Sequence, residues 1–132
     1  MTQDVPSVLL VGHCVPDSSS LTRLIQEAAP AAKVTRVNKD AHLAESAQQA
    51  SLLLVNRVLD GRFRQSLGVD LISALRADGV ETPIMLISNY EDAQEAAVAA
   101  GAMPGFGKRA IAQPETIERI RMALASSSST SA

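Results

Sequence analysis

Five short apolar runs, each separated by a stretch of helical periodicity, restrict the fold of this chain more than any other feature. The middle run, Leu52-Leu53-Leu54-Val55, carries no polar side chain at either parity, so a strand built from it must be covered on both faces. Ser7-Val8-Leu9-Leu10-Val11 and Pro83-Ile84-Met85-Leu86-Ile87-Ser88 read the same way. Val34-Thr35-Arg36-Val37 alternates as a strand near a sheet edge does, and Met103 to Gly107 supplies a short fifth strand.

The intervening stretches predict helices. Leu21, Leu24, Ile25 and Ala28 recur at helical spacing behind the capping candidates Asp17 and Ser18, and Pro30 ends that helix. Residues 40–49 have helix-forming composition, with Leu43 and Ala47 on one side. Val69, Leu71, Ile72 and Leu75 mark a third helix that stops at Asp78-Gly79. Residues 91–100 form an alanine-rich fourth helix with acids in its first turn, closed by Gly101. Pro114 opens a fifth with Ile117, Ile120 and Leu124 on its apolar face. Residues 126–132 are serine-rich and read as a disordered tail or the start of a linker, leaving one domain over residues 1–125.

Strands alternating with helices over about 120 residues suit an open doubly wound α/β sheet; a closed eightfold barrel needs about 250. Right-handed crossovers give a five-stranded parallel sheet in the order 2-1-3-4-5 with helices on both faces. Ligands in such sheets sit at the carboxyl ends of the strands, which here end at His13, Asn56, Ser88 and Lys108.

Composition excludes several classes. A chain of 132 residues, 46% apolar with formal net charge -2, has neither the profile of a disordered protein nor a strong attraction for nucleic acid or membrane. No apolar stretch approaches the roughly 20 residues of a membrane span, and the N-terminus lacks a basic region followed by an apolar segment, so a cytoplasmic location is expected. Cys14 is the single cysteine and forms no internal disulfide.

Several chemical motifs fail on spacing. Gly101 to Gly107-Lys108 imitates a phosphate loop, but five residues separate its outer glycines and Arg109 follows the lysine, where four residues and a hydroxyl are required. His13, Cys14 and Asp17 offer metal ligands without a second cluster, and His42 has no partner at suggestive spacing. Ser88 and His13 share a sheet edge without a Gly-x-Ser-x-Gly elbow. No metal site, cofactor or enzymatic centre is expected. Aromatic residues are too few for a nucleic-acid stacking surface.

The segment from Arg57 to Leu67 is a long loop at the ligand edge holding Arg57, Arg62 and Arg64, whose guanidinium forks suit phosphates or carboxylates; Phe63 would be its apolar anchor. Arg109 lies beside Lys108 at the same edge. The acidic start of the fourth helix, Glu91, Asp92 and Glu95, and the basic Arg119 and Arg121 of the fifth would allow pairing across a two-fold axis.

Leu-Leu-Leu-Val-Asn56-Arg-Val-Leu-Asp-Gly resembles the third strand and following loop of a bacterial response-regulator receiver domain. Gly68-Val69-Asp70-Leu71-Ile72, Ser88 and Gly105-Phe106-Gly107-Lys108 resemble that family's next helix, its hydroxyl position and its lysine segment, in order along nearly the whole chain. The resemblance implies a flavodoxin-like receiver fold, Phe106 as an aromatic that changes rotamer, and dimerisation through helix four, strand five and helix five. It also implies a site that has lost its chemistry. Asn56 stands where the family keeps its phospho-acceptor aspartate, and Gly12, His13 or Cys14 stand where it keeps an acidic pair for Mg²⁺.

An amide oxygen is a far weaker nucleophile than a carboxylate, so aspartyl phosphorylation at Asn56 is ruled out and Mg²⁺ binding should be poor. The cleft should be neutral to basic, with Lys108 bonded to the Asn56 amide or to backbone more readily than to an anion. The expected function is that of a pseudo-receiver, binding a signalling protein without phosphorylation. The alternative is a sensor of a small anion or nucleotide using Lys108, Arg57, Ser88 and Asn56. An enzyme reusing His13, Cys14 or Ser88 is the third option.

Overall fold

A computed structural model describes residues 5–130, and their side chains as far as residue 125. Ten elements alternate: β1 Ser7–Val11, α1 Val15–Ala28, β2 Lys33–Val37, α2 Leu43–Gln49, β3 Leu52–Asn56, α3 Gly68–Ala77, β4 Ile84–Ile87, α4 Glu91–Ala99, β5 Met103–Phe106 and α5 Pro114–Thr130. All strand pairings are parallel and the order is β2-β1-β3-β4-β5, the order expected from right-handed crossovers.

The two parities of the apolar runs separate into two cores. Leu10, Leu52, Leu54, Met85 and Ile87 face α1 and α5, where Leu21, Ile25, Ile120 and Leu124 meet them. Leu9, Leu53, Val55, Ile84 and Leu86 face α2, α3 and α4, packing with Leu43, Ala47, Ile72, Leu75 and Ala97. Leu52, Leu53, Leu54 and Val55 are completely buried, each stabilising the fold by about 1.5–3 kcal/mol. β2, with Lys33 and Arg36 in water, is an edge strand guarded by charge.

Two boundaries differ from the sequence reading. α1 begins at Val15, with Cys14 in the extended N-cap conformation and Pro16 in the first turn, so Asp17 and Ser18 lie inside the helix and cap nothing. Proline is tolerated there because the first-turn N–H groups have no helical acceptor. The backbone of α5 runs on to Thr130 through serines assigned above to a tail; no glycine or proline interrupts it. Residues 131–132 of that tail lie outside the described residues.

α3 reaches the sheet closely because it begins with glycine. A Cβ on Gly68 would collide with the Asn56 carbonyl, and would crowd Leu86 Cδ1 and Val55 Cγ1 at 2.9 Å. Gly68→Ala should therefore lower stability in urea denaturation by about 1–3 kcal/mol, despite alanine's better helix propensity.

Candidate functional site

The β1, β3, β4 and β5 ends converge on one edge. Asn56 is half-buried at the end of β3, paired in register with Ile87. Both amide protons are used: Nδ2 donates to the Gly12 carbonyl at 2.9 Å and to the Val58 carbonyl at 2.8 Å, while Oδ1 accepts from the Arg57 N–H at 3.0 Å. Gly12 adopts φ +78° and brings its carbonyl to this point, where it also accepts from the Asp60 N–H at 2.9 Å. Asn56 thus joins the β1–α1 turn to the β3–α3 loop. A carboxylate has no proton to offer either carbonyl.

Lys108 does not bond Asn56, contrary to the expectation above. Its Nζ lies 2.6 Å from Asp17 Oδ2, in the first turn of α1. The Lys108 ammonium holds the Asp17 carboxyl below its usual range, with a smaller contribution in the same direction from the Cys14 thiol. The pair is partly exposed, so its contribution to stability is at most about 1 kcal/mol. Starting α1 at Val15 is what turns Asp17 toward β5.

Ser88 is buried and its Oγ accepts the Tyr90 N–H at 3.0 Å; Asn89 Oδ1 accepts the Arg109 N–H at 3.2 Å. A cleft of about 210 Å³ is left between Asn56, Arg57, Ser88, Asn89, Tyr90 and Lys108. His13 is not part of it. The ring is completely buried, Nε2 donates to the Leu54 carbonyl at 2.9 Å, and Nδ1 has no partner. Burial keeps the imidazole neutral, lowering its pKa against the opposing pull of the Leu54 bond. Cys14 serves as the N-cap residue of α1 with a free, half-buried thiol.

The Mg²⁺ implied by the receiver resemblance does not fit these residues. Gly12 and His13 offer no carboxylate, Asn56 offers only a neutral amide oxygen that already accepts the Arg57 N–H, and Asp17 is held by Lys108. Among the described residues no three His, Cys, Asp or Glu side chains are grouped to hold a metal.

The arginines of the long loop diverge. Arg57 lies over the Tyr90 ring, 4.7 Å from its centroid. Arg62 is drawn toward β2, its N–H donating to the Asn38 carbonyl at 2.7 Å, and the Arg64 N–H donates to Asp40 Oδ2 at 2.9 Å. Phe63 packs against the core that contains Leu43 and is not a free anchor. The loop is pinned because its backbone polar groups find partners in the β2–α2 connection and in Gly12.

Phe106 is buried in the core that holds Leu10, Ile87 and Ile120. Beside it, Gly105 meets Gln94 of α4, which the sequence reading passed over. Gln94 Nε2 donates to the carbonyls of Leu86 at 2.8 Å and Ser88 at 3.1 Å, while its Oε1 accepts the Gly105 N–H at 3.0 Å. Tyr90 was also missed, although it is the chain's one tyrosine and follows Ser88 by two residues.

No protein-family model and no curated protein matches the sequence. Solved structures do match its fold. The signal receiver domain of a DNA-binding response regulator from Colwellia psychrerythraea 34H superposes with TM-score 0.68 at 16% identity, covering 92% of this chain and 99% of that one. The fold is that of a receiver domain. A response regulator from Thermotoga maritima matches with TM-score 0.69 at 17% identity over 92% and 99% of the two chains. NtrX from Brucella abortus matches with TM-score 0.70 at 20% identity; the likeness covers 96% of this chain and 28% of that larger one.

Two predictions follow from the hydrogen bonds at this edge. Asn56→Asp removes both donors to Gly12 and Val58 and places a carboxylate against two carbonyls, so urea denaturation should show a loss of about 1–3 kcal/mol that millimolar Mg²⁺ does not restore. Because His13 binds a proton less readily in the folded than in the unfolded chain, stability should fall as pH drops below about 6.5. Thermal midpoints between about pH 7.5 and about pH 5 should fall less steeply in His13→Gln. The corresponding loss from Asp17 begins only below its ordinary 3.8, outside that window.

Proposed function

We propose that this chain is a receiver-like signalling module that binds a protein partner, performs no catalysis and does not use aspartyl phosphorylation. The engaged Asn56 amide carries this reading: a neutral group that donates twice and accepts once holds two loops together and has no proton left to offer a phosphoryl oxygen. The Lys108–Asp17 pair supports it, since the lysine is already neutralised from within the chain.

Two faces are candidates for partner contact. One is the loop from Arg57 to Leu67. The other is formed by α4, β5 and α5, where Val98 and Met122 are exposed. A homodimer through this second face remains part of the proposal, though two of its basic groups are engaged within the chain: Arg121 bonds Glu118 at 2.7 Å, and Arg119 donates to the Gly105 carbonyl at 2.7 Å. Apolar contact at Val98 and Met122 is thus better placed than cross-axis ion pairs to hold such a dimer. No helix among the described residues is long and apolar enough to cross a membrane, and we place the module in the cytoplasm.

The second reading, a sensor of a small anion or nucleotide, draws support from the Ser88 hydroxyl and Arg57 at the cleft. Asp17 weakens it by holding Lys108.

An amide NMR titration separates the readings. Mg²⁺ with beryllofluoride should leave Asn56, Ser88 and Lys108 unshifted; Mg²⁺-dependent saturation would overturn the proposal. Saturable shifts with phosphate or a nucleotide, lost in Lys108→Ala, would establish the sensor instead. Lys108→Ala should leave binding to a partner at either face intact.

A further inference from the structure

A second cavity lies beside the strand-end cleft, between α3 and α4, with a volume of about 520 Å³. Arg57 and Tyr90 form the wall common to both. Its apolar lining comes from Leu67 and Val69 at the start of α3 and from Ala93 and Ala96 on α4, with Val69 and Ala93 half-buried and Leu67 and Ala96 exposed. Leu67 is 44% exposed and Tyr90 58%, so two large apolar side chains remain in water at one place.

The charges around this lining are of both signs and are not paired with each other, and Asp70 and Asp92 are exposed. Asp70 and Asp92 line the cavity with Arg57, yet no ion pair among the described residues joins them. The Arg57 guanidinium has the Tyr90 ring as its contact, and Asp92 uses one oxygen on the Ala93 N–H at 2.9 Å. A purely anionic ligand such as a phosphate would meet two carboxylates, and a purely cationic one would meet Arg57. A molecule bearing both charges satisfies each side, provided it also has an apolar portion to cover the apolar lining.

We propose that the cavity between α3 and α4 binds a small organic zwitterion with an apolar body, of which an apolar α-amino acid is the simplest. Its carboxylate meets the Arg57 fork, its ammonium meets Asp70 and Asp92, and its side chain rests on Ala93, Ala96 and the edge of Tyr90. The volume falls within the range of about 300–1,000 Å³ usual for small-ligand sites. The cavity uses neither Asn56 nor Lys108, though Arg57 and Leu67 also belong to the loop offered above as a partner face; Ala96→Leu lies outside that loop and tests the cavity separately. Where both this inference and the protein-binding role hold, the ligand gives the module an input different from phosphorylation.

The test is calorimetry and amide NMR on the full chain with L-phenylalanine, 3-phenylpropionate, which lacks the ammonium, and phenethylamine, which lacks the carboxylate. Phenylalanine should bind saturably and shift Val69, Ala93 and Ala96, and each analogue should bind at least about tenfold more weakly. Arg57→Met should weaken phenylalanine similarly. Ala96→Leu keeps the helix and all three charges but fills the cavity, and should abolish binding. Absence of phenylalanine binding, equal binding of either analogue, or binding unaffected by Ala96→Leu would overturn the proposal.

Discussion

Burial of β3 on both faces sets the geometry of the strand ends. Leu52 to Val55 leave no side chain in water, so the strand cannot slip in register without driving apolar groups into the wrong layer or exposing them. Asn56 is the first residue beyond that seal, and its pairing with Ile87 fixes where its amide stands. Gly68 then lets α3 start directly against the Asn56 carbonyl. The polar edge is therefore positioned by the apolar interior, and polar side chains decide only how the loops are joined across it.

At that edge the usual roles of charge and amide have been redistributed. Asn56 satisfies backbone carbonyls that would otherwise face one another, a structural task for which an amide is suited and a carboxylate is not. The Asp17 carboxylate, in the first turn of α1, neutralises Lys108. His13 contributes no charge because its ring is enclosed by the sheet and α1 region. The edge becomes a set of internal ties, with Arg57 lining both this cleft and the one between α3 and α4.

Strands and their order were legible in the sequence because two-sided burial writes itself as uninterrupted apolar runs. Helix starts were less so: Cys14-Val15-Pro16 has no capping side chain, so α1 was placed too late and the direction of Asp17 was lost with it. The identity of the residues at the strand ends could be read, but their partners could not. Lys108 meets a residue from the other end of the chain, and Arg62 and Arg64 are turned away by a loop that folds back on Asn38 and Asp40. Gln94 and Tyr90 lacked any motif; only their neighbours in space give them meaning.

Gln94 carries a consequence for how this chain can change over time. Its amide occupies the ground opposite Gly105, where an added Cβ would run into the Leu86 carbonyl and approach Gln94 Oε1. Introducing a larger residue at 105 would break the bonds Gln94 makes to β4 and β5, and replacing Gln94 first would strand those same backbone groups. Neither single step is neutral, and because the Leu86 carbonyl blocks a Cβ at 105 whatever stands at 94, changing Gln94 does not free position 105 to vary.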